Sequence, residues 1–213
     1  DNQVGKLAFS CKASNVAGAF CTPAGLIEFR DENGITKFDI EKRTALPGKH
    51  NLMNIMAAIC VSRLIKLSDA VIIHAINQFP GLEHRLEYVG KFGGIHFYND
   101  SIATIPEATI EAIKTLGQVD TLILGGKDRG INYAHLVRFL TSSSVRNIIL
   151  IGDVGNKLMH LLQKEQNPET RLFFIHSFDE IPDIVRKNTL GEGICLLSPA
   201  ASSYGLFSNF EER

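Results

Sequence analysis

The chain has 213 residues, of which 45% are hydrophobic, so it is long enough to bury a core in one large domain or two small ones. Its 22 basic and 23 acidic residues leave a formal charge of -1, which argues against a nucleic-acid-binding surface. Its apolar runs are far shorter than the roughly 20 residues that a membrane helix needs, so we expect no membrane partner and a cytoplasmic protein.

The first residues and the four cysteines bear on how the protein is processed and on its redox state. Asp1-Asn2-Gln3 opens the chain without the basic segment of a signal peptide, and a start without Met suggests an excised fragment. The four cysteines form no Cys-x-x-Cys pair and stand among apolar residues, which favours reduced core thiols over disulfides or a zinc site.

The first segment of the chain has the pattern of short strands separated by turns, which predicts antiparallel β structure. Strands are predicted at residues 7–10, 17–21, 26–30 and 35–40, with a hairpin turn at Glu32-Asn33-Gly34. Helical spacing of apolar residues then predicts a helix over residues 52–64, and a second helix is predicted at residues 69–79. Pro80-Gly81 ends that helix and marks a domain boundary, with a hinge near Gly81, between residues 1–82 and 83–213.

The second segment alternates strand-like and helix-like runs about every 25 residues, which predicts βαβ units and a largely parallel sheet. The predicted strands are residues 95–99, 121–124, 147–151, 171–175 and 193–197. The predicted helices are residues 106–116, 133–140, 155–163 and 178–187. The fold class is therefore α/β.

Three segments that follow strands carry polar residues, and ligands gather at the carboxyl ends of parallel strands. In Asn99-Asp100-Ser101-Ile102-Ala103-Thr104, Asp100 could accept from a ribose hydroxyl and Thr104 could hold a carboxylate, or these residues could cap a helix. Gly125-Gly126-Lys127-Asp128-Arg129-Gly130 could bring backbone and cations to an anion, or it could be a turn with solvated charges. Residues 197–204 carry small and hydroxyl side chains that suit a carboxylate pocket or ordinary helix caps.

Two further segments could contact a nucleotide. Asn51 and Asn54 lie one turn apart at the start of the first helix, where an amide can read the edge of adenine or cap the helix. In Gly81-Leu82-Glu83-His84-Arg85, the arginine could reach a phosphate or pair with Glu83 or Glu87. The spacings of a P-loop and of a dinucleotide fingerprint are both missing from the chain.

The order and spacing of these segments resemble the Mur ligase family, and within it the ligases that add D-glutamate to UDP-N-acetylmuramoyl-L-alanine. The resemblance covers residues 48–213. Its segments are Gly48-Lys49-His50-Asn51, Gly81-Leu82-Glu83-His84-Arg85, Asn99-Asp100-Ser101-Ile102-Ala103-Thr104, Gly125-Gly126-Lys127-Asp128-Arg129, Leu197-Ser198-Pro199-Ala200 and Asn209-Phe210-Glu211-Glu212-Arg213.

The resemblance implies a three-domain, ATP-dependent ligase of peptidoglycan precursor synthesis. Residues 1–82 would end the central ATPase domain, and residues 83–213 would form a Rossmann-like carboxy-terminal domain. ATP would convert a carboxylate into an acyl phosphate, which the amine of D-glutamate attacks to form the amide. We therefore expect ATP and Mg²⁺, small-molecule substrates and a monomer. The phosphate loop, the Mg²⁺-binding carboxylate and a modified lysine would precede Asp1, so we expect no catalytic or metal-binding residue here and no activity of this chain alone.

The resemblance also implies a role for eight residues. The nucleotide would be bound by Asn51 and Asn54 at adenine, by Arg85 at a phosphate and by Asp100 at the ribose. D-Glutamate would be bound by Thr104, Arg129, Ser203 and Phe210. Two residues depart from the family pattern, because many relatives carry Lys in place of Ile102 and of Arg129. An arginine keeps the charge and can bind a carboxylate with two hydrogen bonds.

Two alternatives stay open at this stage. The chain could derive from another Mur ligase or from a ligase similar to folylpolyglutamate synthetase. It could also be a non-catalytic module that binds a nucleotide or an amino acid.

Overall fold

The computed structural model describes residues 6–12, 14–22, 26–38, 40, 46–165 and 168–213. The chain divides into two compact units, Asp1–Gly81 and Leu82–Arg213. Their correspondence to domains of a ligase stays a prediction. The proposed start at Asp1-Asn2-Gln3 and residue 39 of the strand predicted at 35–40 lie outside the described residues.

The first unit is a four-stranded sheet with two helices. Its elements are β1 (Ala8–Ser10), β2 (Gly18–Cys21), β3 (Ile27–Asp31), β4 (Gly34–Phe38), α1 (Lys49–Leu64) and α2 (Asp69–Gln78). The strand order is β1-β2-β3-β4. Phe29 and Phe38 of the sheet share a buried cluster with Met56 and Ile59 of α1 and Ile72 of α2, so apolar burial joins both helices to the sheet.

The prediction of antiparallel pairing is wrong for β1. β2, β3 and β4 pair antiparallel, but β1 runs parallel to β2, with Ala8 opposite Gly18. A Cβ atom on Gly18 would lie 1.8 Å from the carbonyl oxygen of Ala8, so this close pairing requires glycine. The direction of β1 depends on how the chain returns to the sheet, which the alternation of side chains does not encode.

The second unit is an α/β domain with a six-stranded sheet. Its elements are β5 (Glu87–Phe92), β6 (Ile95–Asn99), α3 (Pro106–Leu116), β7 (Val119–Gly125), α4 (Ala134–Thr141), β8 (Asn147–Ile151), α5 (Gly152–Glu165), β9 (Arg171–Ile175), a 3-10 helix (Phe178–Glu180), α6 (Ile181–Asn188) and β10 (Ile194–Leu197). The five predicted strands and four predicted helices are confirmed within a few residues. The sheet is parallel except for β5, as the α/β prediction requires.

The strand β5 was not predicted from the sequence. It pairs antiparallel with β6 across a turn at Gly93-Gly94 and forms an edge of the sheet. Tyr88, Val89 and Phe92 are each more than half exposed, so β5 lacks the alternation of buried and exposed side chains that marks a half-buried strand. The paired glycines between two runs were the available signal for a hairpin.

Buried apolar residues cover both faces of this sheet, which explains why the central strands are almost continuously apolar. Leu122 and Leu124 of β7 pack in a cluster with residues of α3, α4 and α5. Ile123, the residue between them, points to the other face, where it clusters with Val185 of α6. Every residue of β7 and β8 is buried.

The strand order β5-β6-β10-β7-β8-β9 inserts the last strand of the chain between β6 and β7. β6, β10 and β7 are parallel, so their carboxyl ends meet at one edge. The loops at residues 99–105, 125–133 and 198–213 therefore gather at the same place, which is where ligands bind in open α/β sheets.

Candidate functional site

Asp100 lies immediately after β6, and its carboxylate is buried at the centre of this edge. One carboxylate oxygen accepts from Ser198 Oγ at 2.7 Å, and the other accepts from the backbone N–H of Leu86 at 3.1 Å. Ser198 and Thr109 hydroxyls lie 3.0 Å apart behind it. Burial raises the pKa of Asp100 to about 6, against the opposing effects of the two hydrogen bonds and of the charge of Arg85. Asp100 thus joins the end of β6 to β10 and to the segment that precedes β5.

The alternative that Asp100, Ser101 or Thr104 caps the following helix is wrong. The N-cap of α3 is Ile105, which makes no side-chain cap hydrogen bond, and Pro106 occupies the first turn. The polar side chains of residues 100–104 are therefore available for contacts within the site. Thr104 is half-buried, and Ile102 is exposed.

Arg85 is an exposed cation in a turn that is fastened on both sides. It makes no ion pair with Glu83, Glu87 or any other carboxylate among the described residues. The carboxylate of Glu87 instead accepts from the backbone N–H of His84 at 2.8 Å. His84 is half-buried, and its ring meets the Phe210 ring edge to face at 5.7 Å.

The glycines after β7 bring two backbones together and do not need a ligand to explain them. A Cβ atom on Gly125 would lie 1.9 Å from the carbonyl oxygen of Ile151, and one on Gly126 would lie 2.2 Å from that of Ser202. The Lys127 N–H donates to the same Ser202 carbonyl at 2.9 Å. This loop is consequently attached to the loop that follows β10.

The charges of this loop divide into one neutralised carboxylate and two exposed cations. Asp128 pairs with Lys157 at 3.0 Å, and the hydrogen bond from Lys157 is the main reason that the pKa of Asp128 lies below its ordinary value. Lys127 and Arg129 are exposed and make no ion pair within the described part of the chain. This loop therefore contributes two exposed cations to the edge.

The loop after β10 contains Ser203 and Phe210, and a buried hydrogen bond holds its first residues. Ala200 has a left-handed backbone with a φ of 55°, and its carbonyl accepts from the buried Tyr133 hydroxyl at 3.0 Å. Ser203 is 4% exposed, and its hydroxyl has no hydrogen-bond partner among the residues that the structure describes. A serine hydroxyl can donate to a carboxylate, so Ser203 stays a candidate for contact with a ligand.

The end of this loop returns to the residue after Asp100. Ser101 Oγ donates to the backbone carbonyl of Phe210 at 2.7 Å and accepts from Arg213 Nε at 3.0 Å. Arg213 also donates to the carbonyl oxygens of Ser101 and Ala201. Its guanidinium is desolvated, which lowers its pKa to about 10. Arg213 thereby fixes where the backbone of Phe210 lies.

The predicted residues of this unit fall into two sets. One set is connected by contacts between neighbours of the predicted residues. Leu86, next to Arg85, donates to Asp100. Ser101, next to Asp100, donates to the carbonyl of Phe210, whose ring meets that of His84. Thr104, Arg129 and Ser203 stand on three different loops of the same edge, and no hydrogen bond joins their side chains in the described residues. Their joint role in binding one ligand stays a prediction.

The predicted adenine contacts lie in the first unit, on the first turns of α1. Asn51 is buried, and its Nδ2 donates to the carbonyl of Pro47 at 2.9 Å. Its Oδ1 accepts from Asn54 Nδ2 at 3.4 Å. Asn54 is exposed. The alternative that either residue caps α1 is wrong, because the N-cap is Gly48, with a φ of 95° and no side-chain cap hydrogen bond.

Glu87, Thr109, Ser198 and Arg213 have structural roles at the edge that sequence reasoning did not assign. Ser198 and Arg213 stand in the segments that carried the family resemblance, so that pattern was a signal for them. Thr109 lies inside a helix, and Glu87 opens the strand that was missed. Nothing local distinguishes those two residues from solvated ones.

Other candidate features of the described residues are few. No group of three or more His, Cys, Asp or Glu side chains is placed to hold a metal ion. The four cysteines, all described, form no disulfide. No described helix is both long enough and apolar enough to cross a membrane. A pocket of about 350 Å³ lined by residues including Asp120 and Arg146 lies at the opposite edge of the sheet.

The second unit is an α/β domain with a mostly parallel sheet, and hydroxyl, amide and cationic groups stand on the loops at its carboxyl edge, where open α/β sheets bind ligands. The UDP-N-acetylmuramoylalanine–D-glutamate ligase of Thermoanaerobacter sp. (strain X514) is 35% identical over 205 residues, which are 96% of this chain and 45% of that protein. The corresponding ligase of Caldanaerobacter subterraneus subsp. tengcongensis is 40% identical over 172 residues, 79% of this chain and 37% of that protein. The chain therefore belongs to the Mur ligase family.

Two further comparisons complete this result. A crystal structure of MurF from Acinetobacter baumannii has a TM-score of 0.62 at 15% identity and covers 86% of this chain and 42% of that one, which supports the fold alone. No protein-family model matches the sequence. The chain spans less than half the length of the curated relatives described here.

Proposed function

We propose that this chain is part of an ATP-dependent ligase that joins D-glutamate to UDP-N-acetylmuramoyl-L-alanine by an amide bond. The observation that carries the proposal is the similarity over 96% of the chain to a ligase named for that reaction. The cations and the hydroxyls at the carboxyl edge support it, because D-glutamate carries two carboxylates and one amine. We further propose ATP and Mg²⁺ as cofactors, small-molecule substrates, a cytoplasmic location and a monomeric state.

The D-glutamate side of the proposal rests on three kinds of group. Arg129 supplies a guanidinium that can hold a carboxylate with two hydrogen bonds, and Lys127 adds charge at the same edge. Ser203 supplies a buried hydroxyl, and the peptide of Phe210 is held in place by Ser101 and Arg213. Thr104 adds a hydroxyl from the loop after β6. Groups on loops of adjacent strands can orient the amine, which is the main contribution of a site that positions one reactant.

The nucleotide side rests on Arg85, an exposed cation in a fastened turn, and on the amides of Asn51 and Asn54. When bound, ATP supplies the phosphoryl group that activates a carboxylate. A guanidinium suits a phosphate because its N–H groups can donate two parallel hydrogen bonds to the phosphate oxygens. Both oxygens of the Asp100 carboxylate already accept hydrogen bonds. A carboxylate oxygen can accept more than one, so the ribose contact of Asp100 stays part of the proposal.

Mg²⁺ is not assigned to any residue of the chain. No group of three or more His, Cys, Asp or Glu side chains among the described residues could hold it. The 213 residues also contain no G-x-x-x-x-G-K-[ST] segment. We therefore expect the 213-residue chain by itself to show no ATP turnover.

The test is phosphate release by the natural full-length chain with UDP-N-acetylmuramoyl-L-alanine, ATP and Mg²⁺, with and without D-glutamate. We expect release that requires D-glutamate. Arg129→Gln and Ser203→Ala should each raise the KM for D-glutamate about tenfold or more, the effect of losing a hydrogen bond to a charged group. Ser144→Ala and Arg138→Gln change exposed residues outside these loops and should leave that KM unchanged.

The opposite outcomes are equally specific. Release that depends on another amino acid instead of D-glutamate would assign the chain to a different ligase of the family. Absence of release with every amino acid would refute the ligase proposal and leave a binding module. An unchanged KM in both Arg129→Gln and Ser203→Ala would refute the assignment of the D-glutamate site while leaving the reaction intact.

A further inference from the structure

The turn that carries Arg85 has two residues in a conformation that side chains disfavour. His84 has a φ of 60° and Leu86 has a φ of 50°, so a left-handed residue stands on each side of Arg85. Neither is a glycine, for which this conformation is free of strain. A non-glycine residue keeps it only where surrounding contacts enforce it.

The contacts that hold the left-handed backbone of His84 come from Glu87 and from the loop after β6. Glu87 Oε2 accepts from the backbone N–H of His84 at 2.8 Å and lies 3.4 Å from Asn99 Nδ2. The carbonyl of His84 accepts from the N–H of Ile102 at 3.2 Å. Both polar groups of the His84 backbone are therefore occupied.

The ring of His84 is fastened by the same amide. Asn99 Oδ1 accepts from the backbone N–H of Ser101 at 3.1 Å, which fixes the orientation of the Asn99 amide. Its Nδ2 then faces His84 Nδ1 at 2.9 Å. Since an amide nitrogen only donates, Nδ1 accepts, and the proton of the neutral ring is on Nε2.

The contact that holds the left-handed backbone of Leu86 is the hydrogen bond from its N–H to Asp100 Oδ1 at 3.1 Å. Arg85 between them is exposed and has no carboxylate partner among the described residues. Glu87 is two residues away, yet its carboxylate binds backbone and amide groups and does not neutralise the guanidinium. The charge of Arg85 acts on the nearby buried Asp100, but no described carboxylate lies within ion-pair distance, so the guanidinium can bind a ligand.

We propose that Glu87 is a positioning residue for anion binding: through His84 and Asn99 it holds the left-handed turn that presents Arg85 to a phosphoryl group. The proposal rests on the proposed function only for the identity of the anion, a nucleoside diphosphate or triphosphate. Glu87 does not touch that anion. It acts by keeping a long, flexible cation pointing in one direction before the ligand arrives.

The experiment measures the Kd for ADP by titration calorimetry and the KM values for ATP and D-glutamate, all on the natural full-length chain. Glu87→Ala removes the acceptor of the His84 N–H. Glu87→Gln keeps a side-chain oxygen that can accept from it. We expect Glu87→Ala to weaken ADP binding and raise the KM for ATP about tenfold, with the KM for D-glutamate within about twofold of its original value.

Three variants separate positioning from general stabilisation of the hairpin. Glu87→Gln should stay within about threefold of the original ADP affinity. The Glu192 carboxylate binds Lys91 at 2.6 Å and faces His96 at 3.4 Å, and both partners lie on the β5–β6 hairpin away from the Arg85 turn. Glu192→Ala should therefore leave ADP affinity unchanged. Arg85→Met should weaken ADP binding at least as much as Glu87→Ala.

Any other result would contradict a specific part of the proposal. An unchanged ADP affinity in Glu87→Ala, beside a weakened one in Arg85→Met, would overturn the role of Glu87 alone. Equal losses in Glu87→Ala and Glu192→Ala would reduce Glu87 to a structural residue. An original chain that does not bind ADP would overturn the proposal, whereas ADP binding without D-glutamate-dependent release would overturn only the proposed function. If Glu87→Ala does not fold, Asn99→Ala replaces it, with an expected loss of about threefold.

Discussion

Replacing Asp100 by Asn should change how the stability of the chain depends on pH. The folded state raises the pKa of this carboxyl from 3.8 to about 6, chiefly because the group is buried. A carboxyl with a raised pKa binds its proton more tightly in the folded state than in the unfolded state. The contribution of Asp100 to stability is therefore greatest below pH 3.8 and is lost as the pH rises towards 6.

The size of the effect follows from the two pKa values. Each pH unit between them corresponds to roughly 1.4 kcal/mol, so ionised Asp100 lowers the free energy of unfolding by about 3 kcal/mol at pH 7. Asn has nearly the same shape and does not titrate. Its oxygen can accept from Leu86, and its nitrogen can donate to Ser198 Oγ, so both native hydrogen bonds have a replacement.

The assay is urea denaturation followed by circular dichroism, for both chains, between pH 4 and pH 8. The free energy of unfolding of Asp100→Asn minus that of the original chain should increase by about 2.4 kcal/mol from pH 4 to pH 7, because about 0.5 kcal/mol of the effect is already present at pH 4. Subtraction removes the contributions of the other carboxyls. A difference that stays constant with pH, or that decreases, would refute the buried, ionisable role of Asp100.

Glu180→Gln supplies a control with the opposite sign. Backbone hydrogen bonds from Ser177 and then His176 hold the pKa of Glu180 below 4.5. Ionised Glu180 therefore adds stability that is present above pH 4.5 and lost as the pH falls through the folded pKa. The difference between Glu180→Gln and the original chain should decrease from pH 4 to pH 7.

Four substitutions at the carboxyl edge should lower stability, as measured by urea denaturation at pH 7. Gly126→Ala places a Cβ atom 2.2 Å from a backbone oxygen and should cost more than about 2 kcal/mol, whereas Gly130→Ala, with open space, should cost about 1 kcal/mol. Tyr133→Phe leaves the Ala200 carbonyl without its hydroxyl donor and should cost about 1 to 2 kcal/mol. Arg213→Lys cannot reproduce three guanidinium hydrogen bonds and should cost about 2 kcal/mol.

For each expected loss of stability, one result would contradict its structural explanation. Equal effects of Gly126→Ala and Gly130→Ala would mean that the backbone approach at Gly126 is not needed. A fully stable Tyr133→Phe chain would mean that the left-handed Ala200 is held by its neighbours alone. A fully stable Arg213→Lys chain would mean that an ammonium group is sufficient to fasten the loop after β10.

Local sequence determined where most regular elements of this protein begin and end. The helix at residues 106–116 was predicted at its observed bounds, because a proline suits a first turn and apolar residues recur at helical spacing. The central strands were predicted because both of their faces are buried, so their apolar residues are consecutive. The motif residues at the ends of β6, β7 and β10 were also visible in order along the chain.

Tertiary structure alone decided the direction of β1, the existence of β5 and the position of β10 within the sheet. The direction of β1 depends on a pairing at Gly18 that strand periodicity does not specify. β5 is an edge strand whose exposed side chains need no alternation, so its partner β6 defines it. Each of these features is a choice of partner made across the fold, and a residue pattern along one strand contains no information about its partner.

The same distinction applies to the site. The sequence showed an aspartate after a strand, and this was consistent with a ligand contact or a helix cap. Only the insertion of β10 beside β6 brings Ser198 to Asp100, buries the carboxylate and links it to the turn of Arg85. Burial and hydrogen bonding between residues almost a hundred positions apart arise from packing, so residue types and spacing determined which groups are available and the fold determined what each group does.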